Sequence, residues 1–146
     1  MTSPKGRILC TEDDEDTRDL LILTLSLAGY DVMCTDTATK ALDLLRREKF
    51  DLCLIDNWMP GLSGENLCKN IREFDTKTPI LFYSGAGYES DKARAVDAGA
   101  QGYLVKPVLG DQLIAEVVRI IAESKIVVPV AVLPYDQTQL VKTVGE

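Results

Sequence analysis

Four short apolar runs in this chain each end directly on a residue that carries chemistry. Arg7-Ile8-Leu9-Cys10-Thr11 runs into Glu12-Asp13, and Leu52-Cys53-Leu54-Ile55 into Asp56. Pro79-Ile80-Leu81-Phe82-Tyr83 runs into Ser84, and Gly102-Tyr103-Leu104-Val105 into Lys106. Four or five apolar residues bounded by turn formers read as strands buried on both faces, as in a parallel sheet. Parallel neighbours require long crossovers, usually helical. The intervening stretches supply them.

Residues 14 to about 28 carry leucines at 20, 21, 23, 25 and 27 and stop at Gly29. Residues 37 to about 48 place Ala41, Leu42, Leu44 and Leu45 on one side of a helix. Further helices are expected over 63 to about 74, 89 to about 98 and 109 to about 123, with an additional strand at 31–35. Five strands alternating with five helices predict an α/β fold with right-handed crossovers and a sheet covered on both faces. The expected architecture is a flavodoxin-like doubly wound five-stranded parallel sheet, strand order 2-1-3-4-5. In that order the ends of strands one, three, four and five form one pocket, where such sheets bind ligands.

Two readings of Asp56 stand side by side. It is either a site acid at a strand end, or an Asx-turn acid bonding the amides of Asn57-Trp58-Met59-Pro60-Gly61. The acidic run Glu12-Asp13-Asp14-Glu15-Asp16 divides more clearly. Asp14 suits a helix cap, and Glu15 and Asp16 suit the positive end of its dipole. Glu12 and Asp13 precede the cap and would stand beside Asp56 if strands one and three are neighbours. Clustered carboxylates repel; a hard divalent cation such as Mg2+ relieves this while keeping waters and a phosphate oxygen among its ligands. Lys106 is a point charge suited to a phosphoryl oxygen, and Ser84 offers a hydroxyl to the same group. Amides of Ser84-Gly85-Ala86-Gly87 would suit an anion-binding concavity. Taken singly, a strand-end serine is a turn residue and a lysine is solvated; the ordered set is far more specific.

This set resembles the receiver domain of two-component response regulators, from Arg7 to about Glu123. The segment Asp56-Asn57-Trp58-Met59-Pro60-Gly61-Leu62-Ser63-Gly64 is similar to the family's phosphoacceptor loop. Glu12-Asp13 resembles its acidic pair, Ser84 its hydroxyl switch residue, and Lys106-Pro107 its lysine with a usually cis proline. Tyr103 falls at its aromatic switch position, although an aromatic in a strand also has a plain packing role. The resemblance implies phosphoryl acceptance on Asp56 from a histidine kinase or histidine phosphotransfer protein. It also implies Mg2+ held by Asp13, Asp56 and the Trp58 backbone carbonyl, with Glu12 acting through water. By the same likeness, a phosphoryl on Asp56 draws Ser84 and Lys106 inward and Tyr103 turns from exposed to buried. The face of the fourth helix, fifth strand and fifth helix is thereby reshaped, for an unknown downstream protein or a homodimer.

The chain has no histidine, so a Ser-His-Asp or Cys-His triad and an ordinary zinc-hydrolase site are excluded. It is expected to be a phosphoacceptor that assists its own phosphorylation and dephosphorylation rather than an enzyme. Two alternatives stay open. A Mg2+-dependent phosphohydrolase would use Asp56 as nucleophile but finds Trp58 where a second acid would serve, and a flavodoxin-like binding module would use the Ser84 loop for a cofactor phosphate.

A length of 146 residues with 46% hydrophobic and 27% charged content suits one domain. A net charge of -7 argues against non-specific attraction to nucleic acid or anionic membrane. No apolar run approaches the roughly 18 residues of a bilayer span, and the first seven residues lack a signal peptide's apolar core. A cytoplasmic location is expected. Cys10, Cys34, Cys53 and Cys68 lack C-x-x-C spacing and suit buried reduced thiols. The expected division is a receiver domain at 1–123 and a C-terminal extension at 124–146, with no recognisable output domain. The extension is rich in strand formers, but Pro129 and Pro134 exclude a central strand. An extended edge, a docked arm, a flexible segment and a partner or dimer contact all stay open for it.

Overall fold

The computed structural model describes residues 3–108 and 110–126. Five strands alternate with five helices: β1 (Arg7–Thr11), α1 (Glu15–Leu27), β2 (Asp31–Thr35), α2 (Ala38–Arg47), β3 (Leu52–Ile55), α3 (Gly64–Arg72), β4 (Ile80–Ser84), α4 (Glu89–Ala98), β5 (Gly102–Val105) and α5 (Gly110–Ser124). All pairings are parallel and the sheet order is β2-β1-β3-β4-β5. The flavodoxin-like doubly wound expectation therefore holds.

Two apolar layers sandwich the sheet. Leu9, Cys53, Ile55, Ile80 and Phe82 face α2, α3 and α4, where Ala41, Leu45, Leu67, Ile71 and Ala95 meet them. Ile8, Cys10, Leu52, Leu54 and Leu81 face the opposite way, onto Leu21 and Leu25 of α1 and Leu113, Val117 and Ile120 of α5. Alternate residues of one strand thus serve opposite layers, as the pleat requires. The central strand β3 is buried along its whole length, which is why its sequence shows no polar alternation.

The cap expected at Asp14 is present, and Thr37 and Ser63 cap α2 and α3 in the same way. Asp14 accepts from Thr17 N at 2.9 Å, Thr37 from Lys40 N at 3.2 Å, and Ser63 from Asn66 N at 3.1 Å. Some boundaries differ from expectation. The third helix ends at Arg72 because Asp75 gathers the following backbone, accepting from Lys77 N and Thr78 N at 2.9 and 3.0 Å. Ser84 is the last residue of β4 rather than the first after it, since its carbonyl accepts Lys106 N at 2.9 Å and carries the ladder one residue further. Cys10, Cys53 and Cys68 are buried thiols as expected, but Cys34 is only partly covered because β2 is an edge strand. Position 109 and residues 127–146 lie outside the described residues, and with them the expectations for Pro129, Pro134 and the extension. No described helix is long and apolar enough to cross a membrane.

Candidate functional site

The register of the sheet assembles the site. Thr11 stands opposite Ile55 in the β1–β3 ladder, so the next residues, Glu12 and Asp56, emerge level with each other. Ser84 stands opposite Val105 in the β4–β5 ladder, so Lys106 leaves the sheet one step beyond the hydroxyl. Lys106 Nζ lies 2.7 Å from Glu12 Oε1 and 3.4 Å from Asp56 Oδ2, across 94 and 50 residues of sequence. Oxygen atoms of Glu12, Asp13 and Asp56 all lie within 4.8 Å of one another. Glu12 and Asp56 are buried at 2% and 7% exposure, whereas Asp13 faces solvent.

The two oxygens of Asp56 have different partners. Oδ1 accepts Trp58 N at 3.2 Å, the Asx-turn bond, while Oδ2 faces the Lys106 ammonium. The loop that follows is held from below by Asn57, whose carbonyl accepts Gly64 N at 3.0 Å and whose Oδ1 accepts Glu65 N at 3.2 Å. Gly64 makes that approach possible. A Cβ there would stand 2.5 Å from the Asp56 carbonyl oxygen and 2.7 Å from Asn57 Cα.

Electrostatics at the site are set by burial working against pairing. Burial pushes the Glu12 carboxyl above its ordinary range and Asp56 adds to the rise, against the hydrogen bonds from Lys106 and the Asp14 amide. Burial also disfavours the Lys106 ammonium. Its hydrogen bond to Glu12 and the charges of Asp56 and Glu12 prevail, holding it above the ordinary lysine value. Both partners of one ion pair are thus raised, because at Glu12 desolvation and a like charge outweigh a single lysine. Such a pocket has more negative charge than its own cation neutralises. Its oxygen-only donor set fits a hard divalent ion.

Ser84 is fully buried and its Oγ accepts Ala86 N at 3.2 Å, closing the Ser84-Gly85-Ala86-Gly87 turn on itself. Tyr103 pairs with Phe82 in register and stacks on it with ring centroids 5.5 Å apart. Its hydroxyl donates to the Ala86 carbonyl, and burial pushes its phenol above the ordinary value. Tyr103 is therefore half-buried in this structure. Trp58 is 65% exposed, with its ring edge over Gly85. The Lys106-Pro107 peptide bond is cis.

Residue-by-residue reading overlooked Arg18. Its Nη1 donates to the main-chain carbonyls of Glu12 and Asp13 at 3.0 and 2.9 Å, pinning the acidic loop from the first turn of α1. An arginine one turn into a polar helix face looks like a solvated charge. Only its place five residues after Asp13 hinted otherwise.

A 2-1-3-4-5 sheet with three acids and a lysine gathered where its strands end is the arrangement of receiver domains. The chain belongs to that family: the response regulator receiver domain model matches residues 8–118. It is 39% identical over 112 residues to the uncharacterized transcriptional regulatory protein YrkP of Bacillus subtilis (strain 168), covering 77% of this chain and 48% of the relative. The chain thus spans about half the length of the curated relatives it matches. Among solved structures it is similar to full-length FixJ from B. japonicum, at 33% identity and a TM-score of 0.79 over 84% of this chain and 61% of that one. It is also similar to the receiver domain of the sensor histidine kinase PA1611 from Pseudomonas aeruginosa PAO1, at 25% identity and a TM-score of 0.75 over 80% and 98% of the two chains. That receiver domain was solved with a magnesium ion coordinated in its active-site cleft.

Proposed function

We propose that the chain accepts a phosphoryl group on Asp56 from a histidine kinase or histidine phosphotransfer protein and signals through the resulting change of surface. The observation that carries this reading is the reach of Lys106 to both Glu12 and Asp56, which brings three strand ends into one pocket. An ionised Asp56 oxygen is the nucleophile. It forms a new P–O bond as the donor's P–N bond breaks, and the electron pair leaves with the donor imidazole. Transfer of this kind is mainly positioning and charge stabilisation, so no general base is needed. Lys106 offsets the added negative charge, and Ser84 offers its hydroxyl to a phosphoryl oxygen.

Glu12, Asp13, Asp56 and the Trp58 carbonyl are the groups that would hold Mg2+. When bound, the ion supplies positive charge beside the phosphoryl oxygens. The chain acts as a cytoplasmic response-regulator receiver or phosphorelay intermediate, with its receiver unit at 1–123, working by protein contact rather than by turnover of a substrate. Movement of Ser84 and Lys106 toward the phosphoryl is coupled to Tyr103, whose hydroxyl already rests on the Ala86 carbonyl beside Ser84. The surface that changes is that of α4, β5 and α5, where a downstream protein or a second copy would bind.

Intact mass after incubation with acetyl phosphate and Mg2+ tests this reading. One phosphoryl mass is gained by the native chain, and none by Asp56→Asn or by the native chain in EDTA. Equal labelling of Asp56→Asn would contradict it.

A further inference from the structure

Besides the Lys106 ion pair on the Glu12 carboxylate, the acidic loop is clamped from three directions, and among these only one is a side chain of another element. Glu12 N donates to the Thr35 carbonyl at 3.0 Å, and Asp14 N donates to Glu12 Oε2 at 3.2 Å. The third clamp is Arg18, whose single Nη1 bridges the carbonyls of Glu12 and Asp13. A guanidinium placed there is odd on charge alone, because it sets a cation beside a pocket that suits another cation. Its donors go to main-chain oxygens, which fixes the backbone from which both carboxylates project.

We infer that Arg18 is a positioning residue for Mg2+: by holding the Glu12 and Asp13 carbonyls it pre-sets the acid pair, and so governs metal affinity rather than the phosphoryl-transfer step. This rests on the proposed Mg2+-dependent function and extends it to a residue that touches neither metal nor phosphoryl. Charge and position make opposite predictions. Removing a nearby positive charge should tighten Mg2+ binding, whereas losing a group that orients ligands typically weakens it about 10–100-fold.

The test is a Mg2+ titration of the native chain, Arg18→Met and Arg18→Lys. It is followed by the fluorescence of Trp58, the single tryptophan, and checked by calorimetry. Arg18→Met keeps the apolar stem and loses the donors; it should bind Mg2+ about 10–100-fold more weakly. Arg18→Lys restores an ammonium donor and should recover part of the loss. At saturating Mg2+ the acetyl phosphate labelling rate of Arg18→Met should return toward the native rate. Amide exchange at 12–14 without metal should be faster in Arg18→Met than in the native chain. Native or tighter Mg2+ binding by Arg18→Met would overturn the role assigned to Arg18 alone. Absence of Mg2+ binding by the native chain would overturn the reading beneath it. If Arg18→Met does not fold, Arg18→Lys carries the test, and unchanged affinity there together with unchanged amide exchange would overturn the role.

Discussion

Asp56 sits 7% exposed among two other acids and one lysine, and the chain keeps it there by backbone geometry more than by charge. Asn57 accepts two amides from the start of α3, and Gly64 lets that helix abut the Asp56 carbonyl. Gly64→Ala is predicted to force the loop off its helix. The overlap falls on backbone atoms that cannot swing away, so a loss of about 1–3 kcal/mol is expected, measured by urea unfolding at neutral pH. Unchanged stability would mean that the loop yields freely. At this scale the sequence was informative where residue type meets strand end: Glu12, Asp13, Asp56, Ser84 and Lys106 all stand out because a polar group terminates an apolar run. Gly64 and Arg18 were harder. Their roles lie in what they touch across a turn, and neither a helix-start glycine nor a helix arginine announces a partner by itself.

At the scale of the element, α1 shows what periodicity could and could not decide. Five leucines and an isoleucine of similar size surround much of this helix, so its hydrophobic pattern points in no single direction. In the fold Leu21 and Leu25 are buried against β1, β3 and α5, while Leu20, Leu23 and Leu27 are 59%, 56% and 80% exposed. The helix was legible; its inward face was not, because that depends on how the crossover lies on the sheet. Leu25→Ala is predicted to cost about 2–5 kcal/mol by leaving a cavity, and Leu23→Ala to stay within about 0.5 kcal/mol as a surface change. Thermal or urea unfolding of the two variants checks this, and equal losses would contradict the assigned face. The strands were more legible than the helices. Their apolar runs are short and bounded, and β1, β3, β4 and β5 each carry a site residue at or just beyond one end.

For the whole molecule, strand order is the property that turns a list of residues into a site. The order β2-β1-β3-β4-β5 puts the ends of β1 and β3 side by side and sets β4 and β5 next to them. An acid pair, an acid, a hydroxyl and an ammonium then share one edge although 94 residues separate Glu12 from Lys106. Alternating strands and helices made a parallel sheet predictable, while the resting position of Tyr103 was not. Where Tyr103 lies depends on contacts across the fold, here its stacking on Phe82 and its hydroxyl bond to the Ala86 carbonyl, and a strand pattern cannot encode them. The central claim is that this convergence makes Asp56 the phosphoryl acceptor. Treatment of the phosphorylated chain with borohydride, which reduces an acyl phosphate to an alcohol, followed by peptide sequencing by mass spectrometry, locates the acceptor directly. Conversion of position 56 to homoserine, with Glu12 and Asp13 intact, is the predicted result; a reduced residue at 12 or 13, or none at 56, would contradict it.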